Sequence, residues 1–321
     1  MQGTAGVSVF IGVDVSKAEL VAAIAGQPGI CRVANDAASI AAWLQGLPRD
    51  ARVAMESTGR YHALLAQMAQ QAGLTVYVLN ARDVFFYARG LGMRAKTDRV
   101  DAHVIARYLA EHHHRLYPWR PGSALHQRVQ QLLARRAMLA VQRQALRQAL
   151  SQLPPGEVDT APLQQAFDTL LRAIDARVQA LIATDAQLDQ GCQRLRTITG
   201  IGPQISALLG CLFSRLEFTN ADAVVAYSGL DPRPDDSGTK RGRRRLSKKG
   251  PALLRRQMYL AAFAASHSKA LQPLYERLRA QGFATTQALV ILGRKLLRVA
   301  FAVWKHQQLF DLQRLMPQPP A

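Results

Sequence analysis

The spacing of hydrophobic positions changes character three times along this chain. Between residues 7 and 80, short apolar runs alternate with segments in which apolar positions recur every three or four residues. The runs Val7–Val15, Leu20–Ala25 and Ile30–Val33 predict a meander of strands. Ala37–Leu47, after the turn-like pair Asn35-Asp36, has helical periodicity, as does Tyr61–Ala72, which stops at Gly73. Arg52–Glu56 and Thr75–Leu79 read as short strands, and Arg99–Glu111 as a helix running into His112-His-His114. Those histidines lack spaced partner acids or cysteines and read as a solvated helix end.

Three strands, then helix, strand, helix and strand, is the element order of a ribonuclease H-like α/β domain, assigned to 7–118. A second texture covers 119–193. Long helical patterns over Ser123–Leu153 and Pro162–Arg194 flank Pro154-Pro-Gly156, which predicts an antiparallel hairpin or coiled-coil arm. The third, 194–312, is mainly α. Thr197–Ala207 resembles a helix-hairpin-helix, and helices are expected over Ala252–Ser266, Ala270–Gln281 and Thr285–Gln308. Residues 313–321 read as a frayed tail.

Charge narrows the class of partner. Lys and Arg number 41 against 22 Asp and Glu, a formal net charge of +19. Such an excess implies a polyanion, nucleic acid before membrane, because no apolar run reaches the ~18 residues of a bilayer span. The N-terminus lacks the pattern of a signal peptide, and a cytoplasmic location is expected. Cys31, Cys192 and Cys211 are odd in number and have no CxxC spacing, so they read as buried thiols. Aromatic residues are 7% of the chain, which gives base stacking no obvious platform.

The candidate chemistry lies in four acids and a serine. Asp14 and Glu56 sit at the ends of apolar strands, and Asp98 and Asp101 lie three apart on one helix. Carboxylates so arranged can converge on hard divalent cations. The bland alternative is that the helical pair meets Arg94, Arg99 or Arg107 on a wet surface. Ser237 precedes a glycine ahead of a run in which seven of the ten residues Lys240–Lys249 are basic. Its hydroxyl is a candidate nucleophile toward a phosphodiester, against the reading of a turn serine. Ser247 is a rival, read as a helix cap or phosphate contact. Lys240, Arg241, Arg243, Arg244, Arg245, Lys248 and Lys249 are expected to hold phosphates, as are the amides around Gly200 and Gly202.

Ile11-Gly-Val-Asp-Val-Ser-Lys17, Glu56-Ser-Thr-Gly59, Lys96-Thr-Asp-Arg-Val-Asp-Ala102, the Gly200-Ile-Gly-Pro203 segment and Tyr227-Ser-Gly-Leu…Asp236-Ser-Gly238 occur in one order. Together they resemble the DEDD transposases of bacterial insertion sequences, over about residues 9 to 310. The resemblance implies a RuvC-like domain, a coiled-coil linker and a C-terminal transposase domain. It implies that Asp14, Glu56, Asp98 and Asp101 form an acidic tetrad binding Mg²⁺ (or Mn²⁺). It implies that Ser237 forms a covalent phosphoserine link to DNA. Its members are guided to donor and target DNA by a structured noncoding bridge RNA, and act as dimers paired into tetramers, with the serine of one subunit meeting the acids of another. The expected function is therefore RNA-guided DNA recombination. The alternatives are a RuvC-like Mg²⁺-dependent junction endonuclease, which uses water, and a non-catalytic nucleic-acid-binding protein.

Overall fold

The computed structural model of the chain describes residues 9–57, 61–93, 98–154, 157–233, 242 and 244–312, within two compact units, Met1–Pro121 and Gly122–Ala321. Ser237, Lys240, Arg241 and Arg243 lie outside the described residues, as do 7–8 of the first expected strand, the Pro155-Gly156 break and the 313–321 tail.

The first unit is built on a five-stranded sheet, order β3-β2-β1-β4-β5. β1 (Phe10–Val15), β2 (Glu19–Ile24) and β3 (Ile30–Ala34) form the antiparallel meander. β4 (Arg52–Glu56) runs parallel to β1, and β5 (Thr75–Leu79) parallel to β4. Parallel pairing requires a crossover, supplied by α1 (Ala37–Gln45) and α2 (His62–Gln71). Asp36 starts α1 by accepting a hydrogen bond from the Ser39 amide, so the turn pair is also a helix cap. Side chains alternate across the strands. Ile11, Val13, Val15, Val53 and Met55 bury one face against Ile40, Leu44, Leu65 and Ala69. Ala54, Tyr77 and Leu79 bury the other against α3 (Ala81–Gly90) and α4 (Asp98–His112), through Val84, Ile105 and Leu109. This mixed sheet with helices on both faces is consistent with the ribonuclease H-like domain expected. Helix α3 was not foreseen: Val84 is its one fully buried residue, and the exposed Phe85 and Phe86 obscure the inward stripe of Val84, Tyr87 and Ala88.

The second unit is almost entirely helical. α5 (Ala124–Leu150) and α6 (Ala161–Ile182) run antiparallel, with ion pairs joining Arg136 to Asp175 and Arg143 to Asp168. The long helix expected to Arg194 stops at Ile182. Asp185 accepts from the Leu188 amide and starts α7 (Ala186–Arg196), so a capping aspartate interrupts an otherwise continuous apolar pattern. Then follow α8 (Pro203–Arg215), α9 (Ala221–Ser228), the hairpin β6 (Pro232–Arg233) and β7 (Arg245–Leu246), α10 (Ala252–Ser266), α11 (Gln272–Ala280) and α12 (Thr285–His306). Val129 and Leu133 of α5 and Val178 and Ile182 of α6 share one core with Leu209, Met258, Leu292 and Leu296. Among the described residues, no helix is long and apolar enough to cross a membrane.

Three expectations on single residues need correction. Cys31 is exposed on edge strand β3, whereas Cys192 and Cys211 are buried. His112 and His113 are half-buried: His112 stacks edgewise on Tyr108 and Tyr87, and the His113 ring lies 4.8 Å from Phe10. Ser247 does not stand at the start of α10, whose cap position is Pro251; it is 3% exposed and donates to the Asp231 carboxylate.

Burial pushes both inner thiols up to about 12. Unfolding returns them to their ordinary value of 9.0, so their stabilising contribution is complete below pH 9 and is lost as pH rises toward 12. Stability of the second unit should therefore fall with rising pH across that window, more steeply than in a protein without the two thiols. Urea midpoints at pH 8 and 10.5, compared with Cys192→Ala/Cys211→Ala, measure it; equal pH slopes in the two proteins would contradict this account.

Candidate functional site

Main-chain geometry sets the start of one helix toward the strand ends that carry two of the acids. Gly12, at the centre of β1, faces α4 so closely that an added Cβ would lie 2.1 Å from the Ala106 nitrogen and 2.4 Å from the Ala102 oxygen. Only glycine permits that approach. Phe10, two residues earlier, meets His113 just past the C-terminus of α4. Helix α4 therefore runs antiparallel to β1, and its N-terminus lies toward the end of the strand that carries Asp14. Asp14 shares the α4 face with Gly12, because side chains two apart point the same way.

Glu56 reaches the same place by a parallel route. In register, Gly12 pairs with Ala54 and Val13 with Met55, so Glu56 is the neighbour of Asp14 across the β1–β4 ladder. Ala54 packs with Ile105 and Leu109 of α4, which puts Glu56 on the α4 face as well. The first turn of α4 contributes Asp98 and Asp101, where the helix dipole favours negative charge. Asp98 is exposed; the other three acids are half-buried. Two strand ends and one helix start thus present four carboxylates to one edge of the sheet.

Among the described residues, no group of three or more His, Cys, Asp or Glu is close enough to hold a metal ion. What converges is the backbone of three elements rather than a closed ligand shell. The donor set itself fits a hard divalent cation, being all carboxylate oxygen. Two arginines considered as partners for Asp98 and Asp101 make other contacts: Arg99 donates to the Pro28 carbonyl at 2.9 Å, and Arg107 to Glu111 at 2.8 Å. Tyr87 also donates to Glu111, at 2.6 Å, and burial followed by that bond pushes its phenol up to about 12.

Arg99, His103 and Arg107, on successive turns of α4, line a cleft of about 570 Å³ with the Gly26–Pro28 turn. This row of nitrogen-bearing side chains went unread in the sequence, although its i, i+4, i+8 spacing was visible there. Gly12 also carried a signal, a glycine inside an apolar strand, which marks close backbone approach.

Ser237 belongs to the segment between β6 and β7, and only the base of that hairpin is described. The Ser247 amide donates to the Asp231 carbonyl at 3.0 Å, and the Lys248 amide to the Gly229 carbonyl at 3.1 Å. Lys248 is left-handed with φ 53°. An added Cβ on Gly250 would lie 1.8 Å from the Tyr227 oxygen, so α9 and the strand exit touch main chain to main chain. The Arg255 guanidinium donates to the Ser228 and Gly250 carbonyls. Of the basic run, Arg244, Arg245, Lys248 and Lys249 are exposed.

The Thr197–Gly202 turn joins α7 to α8. Gly200 is left-handed with φ 91°, and a Cβ there would lie 2.4 Å from the Ala261 oxygen, so packing against α10 accounts for this glycine. Gly202 caps α8, with Pro203 following at the first helical position.

Residues 11–155 match a family model described as Transposase, and 192–276 a model described as Transposase IS116/IS110/IS902 family. The pilin gene-inverting protein of Moraxella bovis is 28% identical over 264 residues, 80% of this chain and 81% of that protein. The uncharacterized 43.6 kDa protein of insertion element IS110 from Streptomyces coelicolor is 30% identical over 142 residues, 44% of this chain and 34% of that protein. The uncharacterized 42 kDa protein of IS900 from Mycobacterium paratuberculosis is 28% identical over 162 residues, covering 46% and 41%.

Proposed function

The chain belongs to the IS116/IS110/IS902 family of transposases, enzymes of DNA recombination, and on that premise we propose that it exchanges DNA strands through a covalent phosphoserine at Ser237. The observation that carries this reading is the approach of α4 to Gly12, from which the shared edge of Asp14, Glu56, Asp98 and Asp101 follows. These four would hold Mg²⁺ or Mn²⁺, which when bound neutralises charge on the reacting phosphate. Ser237 Oγ forms a bond to phosphorus as one P–O bond to deoxyribose breaks. The departing sugar oxygen leaves as a hydroxyl, which balances the proton lost from Oγ. A hydroxyl of the incoming strand reverses the step, so phosphodiester bonds are conserved in number and no nucleotide hydrolysis is required.

The chain's cations serve affinity. Lys240, Arg241, Arg243, Arg244, Arg245, Lys248 and Lys249 hold backbone phosphates, and the α7–α8 turn acts as a helix-hairpin-helix through the amides of the first turn of α8 that follow Pro203. Such contacts carry no sequence information, so choice of donor and target falls to a structured guide RNA. The outer arm exposes Met138, Val141, Leu163 and Leu170, apolar surface suited to coiled-coil contact in a dimer or tetramer. In the assembled enzyme the acids of one subunit complement the serine of another, in the bacterial cytoplasm beside the nucleoid. Inversion, which the name of the Moraxella relative describes, would need the same strand exchange.

The test is a covalent-adduct assay with labelled donor and target DNA, RNA transcribed from the flanking DNA, and Mg²⁺. A protein–DNA adduct is expected on a denaturing gel, and its loss is expected in Ser237→Ala. Equal cleavage by both proteins without an adduct would identify a hydrolytic junction nuclease instead.

A further inference from the structure

The outward face of α3 has a composition that packing does not explain. Arg82, Phe85, Phe86 and Arg89 are all exposed and recur at i, i+3, i+4 and i+7, a single stripe along the helix. The inward positions Val84, Tyr87 and Ala88 join the α4 core. Each phenylalanine is 53% exposed, and the two rings meet edge to face with centroids 5.5 Å apart. The Arg82 guanidinium lies 5.4 Å from the Phe86 centroid and that of Arg89 5.5 Å from the Phe85 centroid. Each ring is thus paired with a cation one helical turn away.

We propose that this stripe is a stacking site for unpaired bases of a single-stranded nucleic acid, with Arg82 and Arg89 on the flanking phosphates. Charge selects this occupant. The stripe carries two cations and no carboxylate, and Asp83, the acid of α3, lies toward Tyr108. A two-fold contact of this stripe with its own copy would set Arg82 and Arg89 against like charges. A single strand offers both complements at once: base faces for the rings and phosphates for the guanidinium groups. Arg82 and Arg89 are seven residues apart, about 10 Å along the axis, which spaces their contacts beyond one another's reach. The proposal rests on the nucleic-acid function above and adds to it a way of holding unpaired segments, which arise in a guide RNA and in DNA during strand exchange.

The full-length protein can be irradiated with single-stranded RNA or DNA carrying 5-iodouracil, with matched duplex as comparison. Crosslinks are expected on the peptide containing Phe85 and Phe86, and whichever strand crosslinks identifies the natural source. Phe85→Ala/Phe86→Ala is expected to lose the crosslink and to weaken single-strand binding by about tenfold or more, with duplex binding changed less than about twofold. Phe85→Leu/Phe86→Leu keeps apolar surface without rings and should behave the same, with wild-type melting in both variants. Wild-type single-strand affinity in the variants, with crosslinks elsewhere, would overturn the stacking site and leave the recombinase reading standing. A variant that dissociates an oligomer but binds strands normally would make the stripe a protein contact. A wild-type protein that binds neither RNA nor DNA would defeat the stacking site and the recombinase reading together.

Discussion

Asp14→Asn is expected to reduce strand cleavage and strand transfer by about a thousandfold or more while leaving melting and nucleic-acid affinity near wild type. The amide has the shape of the carboxylate, and Asp14 pairs with Val21 through main-chain atoms that the change leaves alone. What is removed is one negative charge at the edge shared with Glu56, Asp98 and Asp101. Cation-assisted stabilisation of a reacting phosphate amounts to several kcal/mol, and about 4 kcal/mol is a thousandfold in rate. Affinity should persist, since it resides in Lys and Arg contacts to phosphate. Asp50→Asn, exposed ahead of β4, is the matched control and should be silent. Strand-transfer rates of both variants at saturating DNA measure the difference, and full activity in Asp14→Asn would remove this residue from the chemistry.

Gly12→Ala should be the most damaging small substitution in the first unit, costing about 3 kcal/mol or more. The added carbon would meet the Ala106 nitrogen and Ala102 oxygen, and neither is the end of a side chain that can rotate away. Either β1 or α4 must shift, and a shift of α4 carries Asp98 and Asp101 with it. Activity should therefore fall even below the temperature at which the unit melts. Gly26→Ala is a useful comparison: its Cβ would meet nothing within 4 Å, so its cost is confined to the φ of 79°. Calorimetry of the three proteins checks the order; a Gly12→Ala protein that melts like wild type would mean that the helix does not lie against the strand this way.

The strand order of the first unit was legible because each strand is a short apolar run bounded by turn residues, and Asp14 and Glu56 stood out as acids at the ends of such runs. Whether Asp98 and Asp101 approach them was not legible, because a spacing of three residues cannot say against which strand a helix lies. The contact at Gly12 sets the start of α4 toward that end of β1, and its sign was an unremarked glycine between Ile11 and Val13. Helix α3 escaped notice for the opposite reason: its two phenylalanines point outward, so apolar periodicity misreads it. The break between α6 and α7 was hidden because Ile182 and Leu188 serve one core on both sides of the Asp185 cap. In the serine segment, the lock between Asp231 and Ser247 was unreadable, since sixteen residues separate two ordinary polar side chains.

The shared core of the second unit bears on how such genes are cut and rejoined. A chimera of two related elements joined near 193 would combine α5 and α6 from one parent with α7–α12 from the other, and Val129, Leu133, Val178 and Ile182 would face unfamiliar neighbours. A junction near Pro121 separates two self-contained sets of neighbours instead. Shuffled libraries should therefore yield folded hybrids more often from that seam than from a junction near 193.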